Sequence, residues 1–212
     1  MRWTEFAVKE ARQTLVVWEA RVGPLKPPIA VEDLADLLYL LAIDVTFDLP
    51  STLAGRLYAE QRIIEVRRND PPRRQRFTIA HEIGHYRLHV VAEGALTSSY
   101  ACSDTAISKS DGERHAVPAL HDASLPGFSV PHLVAPQLSP RDMRRREIEA
   151  NTFATELLMP AQLVEVAVAR YGTAITDLAE HFEVSRQAMQ YRLEKLHLLP
   201  PSGPQTSFLG ER

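Results

Sequence analysis

The stretch Arg76-Phe77-Thr78-Ile79-Ala80-His81-Glu82-Ile83-Gly84-His85-Tyr86-Arg87-Leu88-His89 decides how this chain is read. It contains His-Glu-x-x-His, in which two imidazoles four residues apart share one helix face, about 6 Å apart along the axis, close enough to grip one metal ion. A catalytic zinc takes three protein ligands and keeps a further position for water, whose pKa it lowers towards about 7. Glu82, between the two histidines, is placed to take the proton from that water and pass it to a leaving amine. Ile79, Ile83, Tyr86 and Val90 recur at helical spacing nearly opposite the histidines, so one face of the helix packs while the other carries metal. Gly84 costs roughly 1 kcal/mol inside a helix relative to alanine, which points to a close-approaching neighbour. His89 lies about 12 Å from His81 along the axis and cannot share its ion; it reads as a supporting residue.

The third ligand has to come from elsewhere. Arg146-Glu147-Ile148-Glu149-Ala150-Asn151-Thr152-Phe153-Ala154-Thr155-Glu156-Leu157-Leu158-Met159-Pro160 is strongly helical and stops at a proline. Ala150, Phe153, Ala154, Leu157 and Leu158 form its apolar face, with Glu147 at the border beside Asn151 and Glu149 pointing further away. A carboxylate beside an apolar face needs a partner charge, and a zinc ion is such a partner. Glu147 is therefore the expected third ligand and Glu149 the reserve; a salt bridge from Glu147 to an arginine is the bland alternative.

The whole chain is 212 residues long with 45% hydrophobic residues, enough for a sizeable core. No run of apolar residues reaches membrane-spanning length, the charged start Met1-Arg2-Trp3-Thr4-Glu5 lacks a signal-peptide core, and a single cysteine suits a reducing compartment, so a soluble cytoplasmic protein is expected. A net charge of −3 argues against wholesale coating of nucleic acid, although local basic clusters survive inside it.

Taken in order, helices are expected from Trp3 to Val22, with Phe6, Ala7, Leu15 and Val16 available for burial, and from Val31 to Leu41. Ile43 to Leu49, Gly55 to Glu60 and Arg62 to Val66 read as a small antiparallel sheet. A basic loop with Arg67, Arg68, Arg73, Arg74 and Arg76 leads into the metal helix, and a second basic run includes Arg144 and Arg145. These arginines either cap neighbouring carboxylates or contact a nucleic-acid signal, for which single-stranded DNA is the candidate. From about 92 to 140 the patterns fade into a long loop or lid. There His115, His121 and His132 read as surface groups. Cys102 reads either as a small buried hydrophobe or as an inhibitory fourth zinc ligand that displaces the water. After Pro160, the stretch Ala161 to Tyr171 reads as a helix and Thr176 to Leu193 follows a helix-turn-helix rhythm. Ser185 would cap its second helix, Arg186, Gln187, Gln190 and Arg192 could face a groove, and Glu183 stands where such turns often use glycine. The domains expected are a metallopeptidase over 1–160, a helical module over 161–200 that packs or binds a partner rather than reading bases, and a flexible tail over 201–212.

The two motifs together, Arg76 to His85 and Glu147 to Pro160, resemble the ImmA/IrrE family of zinc metallopeptidases over roughly Val31 to Leu198. The resemblance implies an α+β, zincin-like fold with a small antiparallel sheet, a His-Glu-x-x-His active-site helix and a C-terminal helix-turn-helix-like module. It implies zinc held by His81, His85 and Glu147, catalysis by Glu82, and a helix-turn-helix transcriptional repressor as substrate, cleaved to release genes of DNA-damage response, mobile elements or phage defence. The long stretch between the motifs departs from the common pattern and, with its cysteine, is similar to the CapP-like members tied to antiphage operons. The rival reading is a non-catalytic DNA- or repressor-binding regulator with a structural metal site.

Overall fold

The computed structural model describes residues 3–92, 99–103 (as backbone) and 138–200. Helix α1 (Trp3–Arg21) buries Ala7, Ala11, Thr14, Leu15 and Trp18 along one stripe. Val16, expected to be buried, is 56% exposed because it sits one residue past that stripe. Helix α2 (Val31–Tyr39) ends where Leu40 turns left-handed at φ 54°, its N–H bonded to the Asp36 carbonyl.

Three strands follow, β1 (Ala42–Thr46), β2 (Leu53–Tyr58) and β3 (Ile63–Arg67), and a fourth, β4 (Ser99–Ser103), completes a sheet of order β1-β3-β2-β4. The sheet is mixed, which corrects the antiparallel expectation. β2 runs antiparallel to β3 and to β4, but β1 pairs parallel with β3, Ala42 opposite Ile63 through Thr46 opposite Arg67. The chain between β1 and β2 carries β2 one strand position too far for a hairpin, and β3 then fills the gap. Ile64 and Val66, both 0% exposed, occupy this central strand and need a neighbour on either side. β4 also corrects part of the expected long loop. Of that segment, residues 104–137 lie outside the described residues, and with them His115, His121 and His132; so does the tail from 201.

The basic loop is shorter than expected. Arg67 ends β3, and helix α3 (Pro72–His85) starts at once, with Pro72 in its first turn where a missing N–H costs nothing, so Arg73, Arg74 and Arg76 are helical. α3 runs on into a π-helical turn, Tyr86–Val91. Helix α4 (Pro140–Leu158) is capped by Ser139, whose Oγ accepts from the Asp142 N–H at 3.2 Å. Helices α5 (Ala161–Tyr171), α6 (Ile175–His181) and α7 (Arg186–Lys195) close the fold, α7 capped by Ser185 as expected. Leu178, Phe182, Met189 and Leu193 belong to the same buried cluster as Ile83, Phe153 and Leu157, so the last three helices share the core of the rest. Among the described residues no single helix is long and apolar enough to cross a membrane.

Candidate metal centre

α3 and α4 lie against each other, and Gly84 sets how closely. A Cβ there would stand 3.2 Å from the Ala150 Cα, the Ala150 carbonyl oxygen and the Phe153 ring, so any side chain at position 84 would press the two helices apart by a few tenths of an ångström or more. The neighbour expected from the sequence is therefore α4. Its approach brings the two motifs together.

His81 and His85 are 0% and 1% exposed, and Glu147 reaches them from α4. The two Nε2 atoms are 2.9 Å apart, and each is 3.3 Å from an oxygen of the Glu147 carboxylate. Bonds of about 2.0 Å to a tetrahedral ion put ligand atoms about 3.3 Å from each other, so two nitrogens and a carboxylate at these spacings fit zinc. Among the described residues these are the three that could hold a metal ion together. Burial works against the charge on Glu147, but His85 and His81 outweigh it and hold the carboxyl well below the usual carboxylate range. Burial also pushes His85 down, towards the neutral form a metal requires.

Glu82 is fully buried, and among the described residues neither of its carboxylate oxygens meets a hydrogen-bond donor. Burial, with help from the Glu147 charge and against the pull of His81, raises its pKa from 4.5 to about 8. A buried carboxyl without a partner is costly as structure and useful as a base that awaits a water. Strand β2 lies over it: a Cβ at Gly55 would stand 3.3 Å from Glu82 Oε1 and 2.3 Å from the Thr78 methyl carbon.

Other candidates are placed differently. Glu149, expected to point away, is 5% exposed and sits 3.3 Å from Arg145 and 3.8 Å from His89, outside the metal site. The π-helical turn draws His89 inward; it is buried with its ring 5.3 Å from that of His85, and burial, followed by His85 and Arg146, lowers its pKa to about 3. Cys102 is the β4 register partner of Gly55; its side chain lies outside the described residues.

Of the arginines, Arg67 and Arg74 grip the buried Asp70 at 2.6 and 3.2 Å. Arg68 lies over the Phe47 ring. Arg76 is corrected as a nucleic-acid contact: it is 9% exposed, donates to the Ile29 carbonyl at 2.7 Å, and has Glu183 and Glu32 at 3.4 and 3.6 Å. Arg73, Arg144 and Arg145 are exposed, Arg145 being the partner of Glu149. Arg192, expected to face a groove, is 0% exposed and forms a two-pronged pair with Glu156. Arg186 and Gln187 are exposed, and Gln190 donates to Glu194 at 3.1 Å.

Two residues near the site were given no role from the sequence. Asn151 places Oδ1 2.8 Å from His81 Nδ1; its one signal is its position a helical turn after Glu147. Gly55 gave none, because only the sheet brings it over Glu82.

Residues 42–113 and 121–194 match the model of a peptidase family described as the IrrE N-terminal-like domain. A solved Mycobacterium tuberculosis transcriptional regulator is similar in fold, with a TM-score of 0.54 at 18% identity over 88% of this chain. The chain spans 46% of that regulator's length. Among curated protein sequences none matches.

Proposed function

The chain belongs to the ImmA/IrrE family, whose fold is of the metallopeptidase type, and on that footing we propose that it is a zinc-dependent, site-specific endopeptidase acting on a helix-turn-helix transcriptional repressor. The observation that carries the reading is the meeting of His81, His85 and Glu147 around one point beside a buried Glu82 that meets no donor among the described residues. Zinc, when bound, would polarise the scissile carbonyl and make a water acidic enough to attack near neutral pH. Glu82 would take that water's proton at its carboxylate and deliver it to the departing amine nitrogen. Burial of the two histidines keeps bulk water away from their outer faces, and Glu147 supplies the negative charge that a cation between two neutral imidazoles needs.

β4 is the edge strand next to β2, and an extended substrate segment would add there, held by main-chain hydrogen bonds with its scissile bond near Glu82. Cys102, in that strand, would hold the enzyme latent if its sulfur took the position meant for water. Residues 161–200 would bind a partner, and exposed Arg73, Arg144 and Arg145 would meet a single-stranded DNA signal. Cleavage would release genes of stress, DNA-damage or phage-defence response. An intact Glu82 beside the three ligands argues against a purely structural metal, which needs no carboxylate at its water position.

The test is coexpression with a helix-turn-helix repressor encoded beside this chain, wild type against Glu82→Gln, with zinc content measured on both purified proteins. Repressor cut by the wild type alone, with equal zinc in both, is the expected result. Repressor left whole by both under DNA-damaging conditions overturns the proposal.

A further inference from the structure

We propose that Asn151 is a positioning residue for the metal site, its Oδ1 accepting the Nδ1–H of His81 and so holding the tautomer whose Nε2 lone pair faces Glu147 and His85. The inference rests on the metal-centre reading above and adds the residue that makes one of its ligands ready.

His81 is 0% exposed, so the protein itself decides which ring nitrogen carries the proton. Asn151 Oδ1 lies 2.8 Å from Nδ1, a hydrogen-bond distance. An amide oxygen there requires Nδ1 to donate and leaves Nε2 as the acceptor, the form that can bind a cation. The opposite amide orientation would put its NH2 against Nδ1, drive the proton to Nε2 and close the site. Nε2 stands 3.3 Å from the Glu147 carboxylate and 2.9 Å from His85 Nε2, so the atom that Asn151 leaves free to accept is the one that converges with the other two.

The helix geometry gives Asn151 this place. It follows Glu147 by four residues, so both project from one face of α4 and reach α3 one turn apart. The close packing at Gly84, against Ala150 next door, fixes the distance over which the amide must reach. The Asn151 carbonyl also accepts from the Thr155 hydroxyl at 2.8 Å, which ties its backbone into the next turn. One helix therefore supplies both the distant ligand and the group that orients a near one.

The test compares wild type, Asn151→Leu and Asn151→Asp by zinc affinity in chelator competition, by melting of the metal-free protein, and by nitrogen NMR of the His81 ring. Asn151→Leu keeps the size and loses the acceptor, and its zinc affinity should fall about 10- to 100-fold. Asn151→Asp keeps an acceptor and adds charge, and should bind zinc at least as tightly as wild type. In the metal-free wild type the His81 proton should sit on Nδ1, and the preference should weaken in Asn151→Leu. Zinc affinity of the leucine variant within twofold of wild type, or an aspartate variant as weak as the leucine one, overturns the proposal. A wild type that takes up no zinc would fail the endopeptidase reading instead, while the NMR signal still decides Asn151: an Nδ1 without a proton refutes it.

Discussion

Glu82 is a carboxyl that the fold has removed from water and that meets no donor among the described residues, and two predictions follow at its scale. Glu82→Gln should cut peptide hydrolysis by at least about 100-fold and leave zinc binding intact, which kinetics and metal analysis on the same preparation would check. Its pKa also gives a pH effect in the metal-free protein. The folded value of about 8 exceeds the ordinary 4.5, so the contribution to stability is complete below pH 4.5 and is lost as pH rises through about 8, on the order of 5 kcal/mol at most. His85 and His89, with lowered values, work in the opposite sense and gain stability as pH rises towards 6.5, but both variants share them. Melts in chelator should therefore show Glu82→Gln gaining on wild type from about pH 5 to pH 8; a constant gap would refute the burial argument. Gly55→Ala would press a Cβ against the Thr78 methyl carbon at 2.3 Å, with a cost of about 1–3 kcal/mol that Thr78→Ser should partly recover. Additive effects in the double mutant, measured by denaturant titration, would show that the clash is relieved elsewhere.

Between α3 and α4 the energetics depend on closeness. Alanine at position 84 gains about 1 kcal/mol of helix propensity and loses it again to contacts at 3.2 Å with backbone that cannot easily move. Gly84→Val has no such compensation and should cost about 3 kcal/mol while it weakens zinc binding, because it pushes Glu147 away from the histidines. A denaturation midpoint and zinc affinity both equal to wild type would contradict this. The two motifs were legible because helical spacing alone places His81 and His85 on one face and Glu147 at the border of another. Their meeting was expected too, from the need of Glu147 for a partner charge and from the family likeness; what periodicity does not supply is the contact itself, the closeness that Gly84 against Ala150 allows. Glu149 shows the same limit: periodicity turned it outward, yet Arg145 and His89 give it partners that make burial tolerable.

Across the molecule, the last three helices are tied to the rest by charge as well as by core. Arg192 is buried against Glu156 and donates to the Met159 carbonyl at 2.9 Å, joining α7 to the end of α4. Arg192→Ala would leave the buried Glu156 carboxylate to the exposed Arg12, 3.8 Å away, and should cost about 3 kcal/mol, whereas Arg186→Ala on the exposed side of the same helix should stay within about 0.5 kcal/mol. Both variants should unfold in a single thermal transition. A separate early transition for residues 161–200 would show that this part does not depend on the shared core. Arg76 makes a second tie, from α3 to Glu183 in the turn before α7, where Glu183 holds φ at 52° without being glycine.

Sequence alone determined which groups are on offer: the type and spacing of His81, Glu82 and His85, the carboxylate-bearing second helix, the capping serine before α7 and the family likeness are all local patterns, set by helical periodicity and side-chain type. Only the tertiary structure decided that β1 runs parallel to β3, that Arg76 and Arg192 face inward, that Gly55 covers Glu82 and that Asn151 meets His81. Each of those depends on contacts between residues far apart in the chain, where burial and the pairing of charge, rather than any period in the sequence, choose the partner.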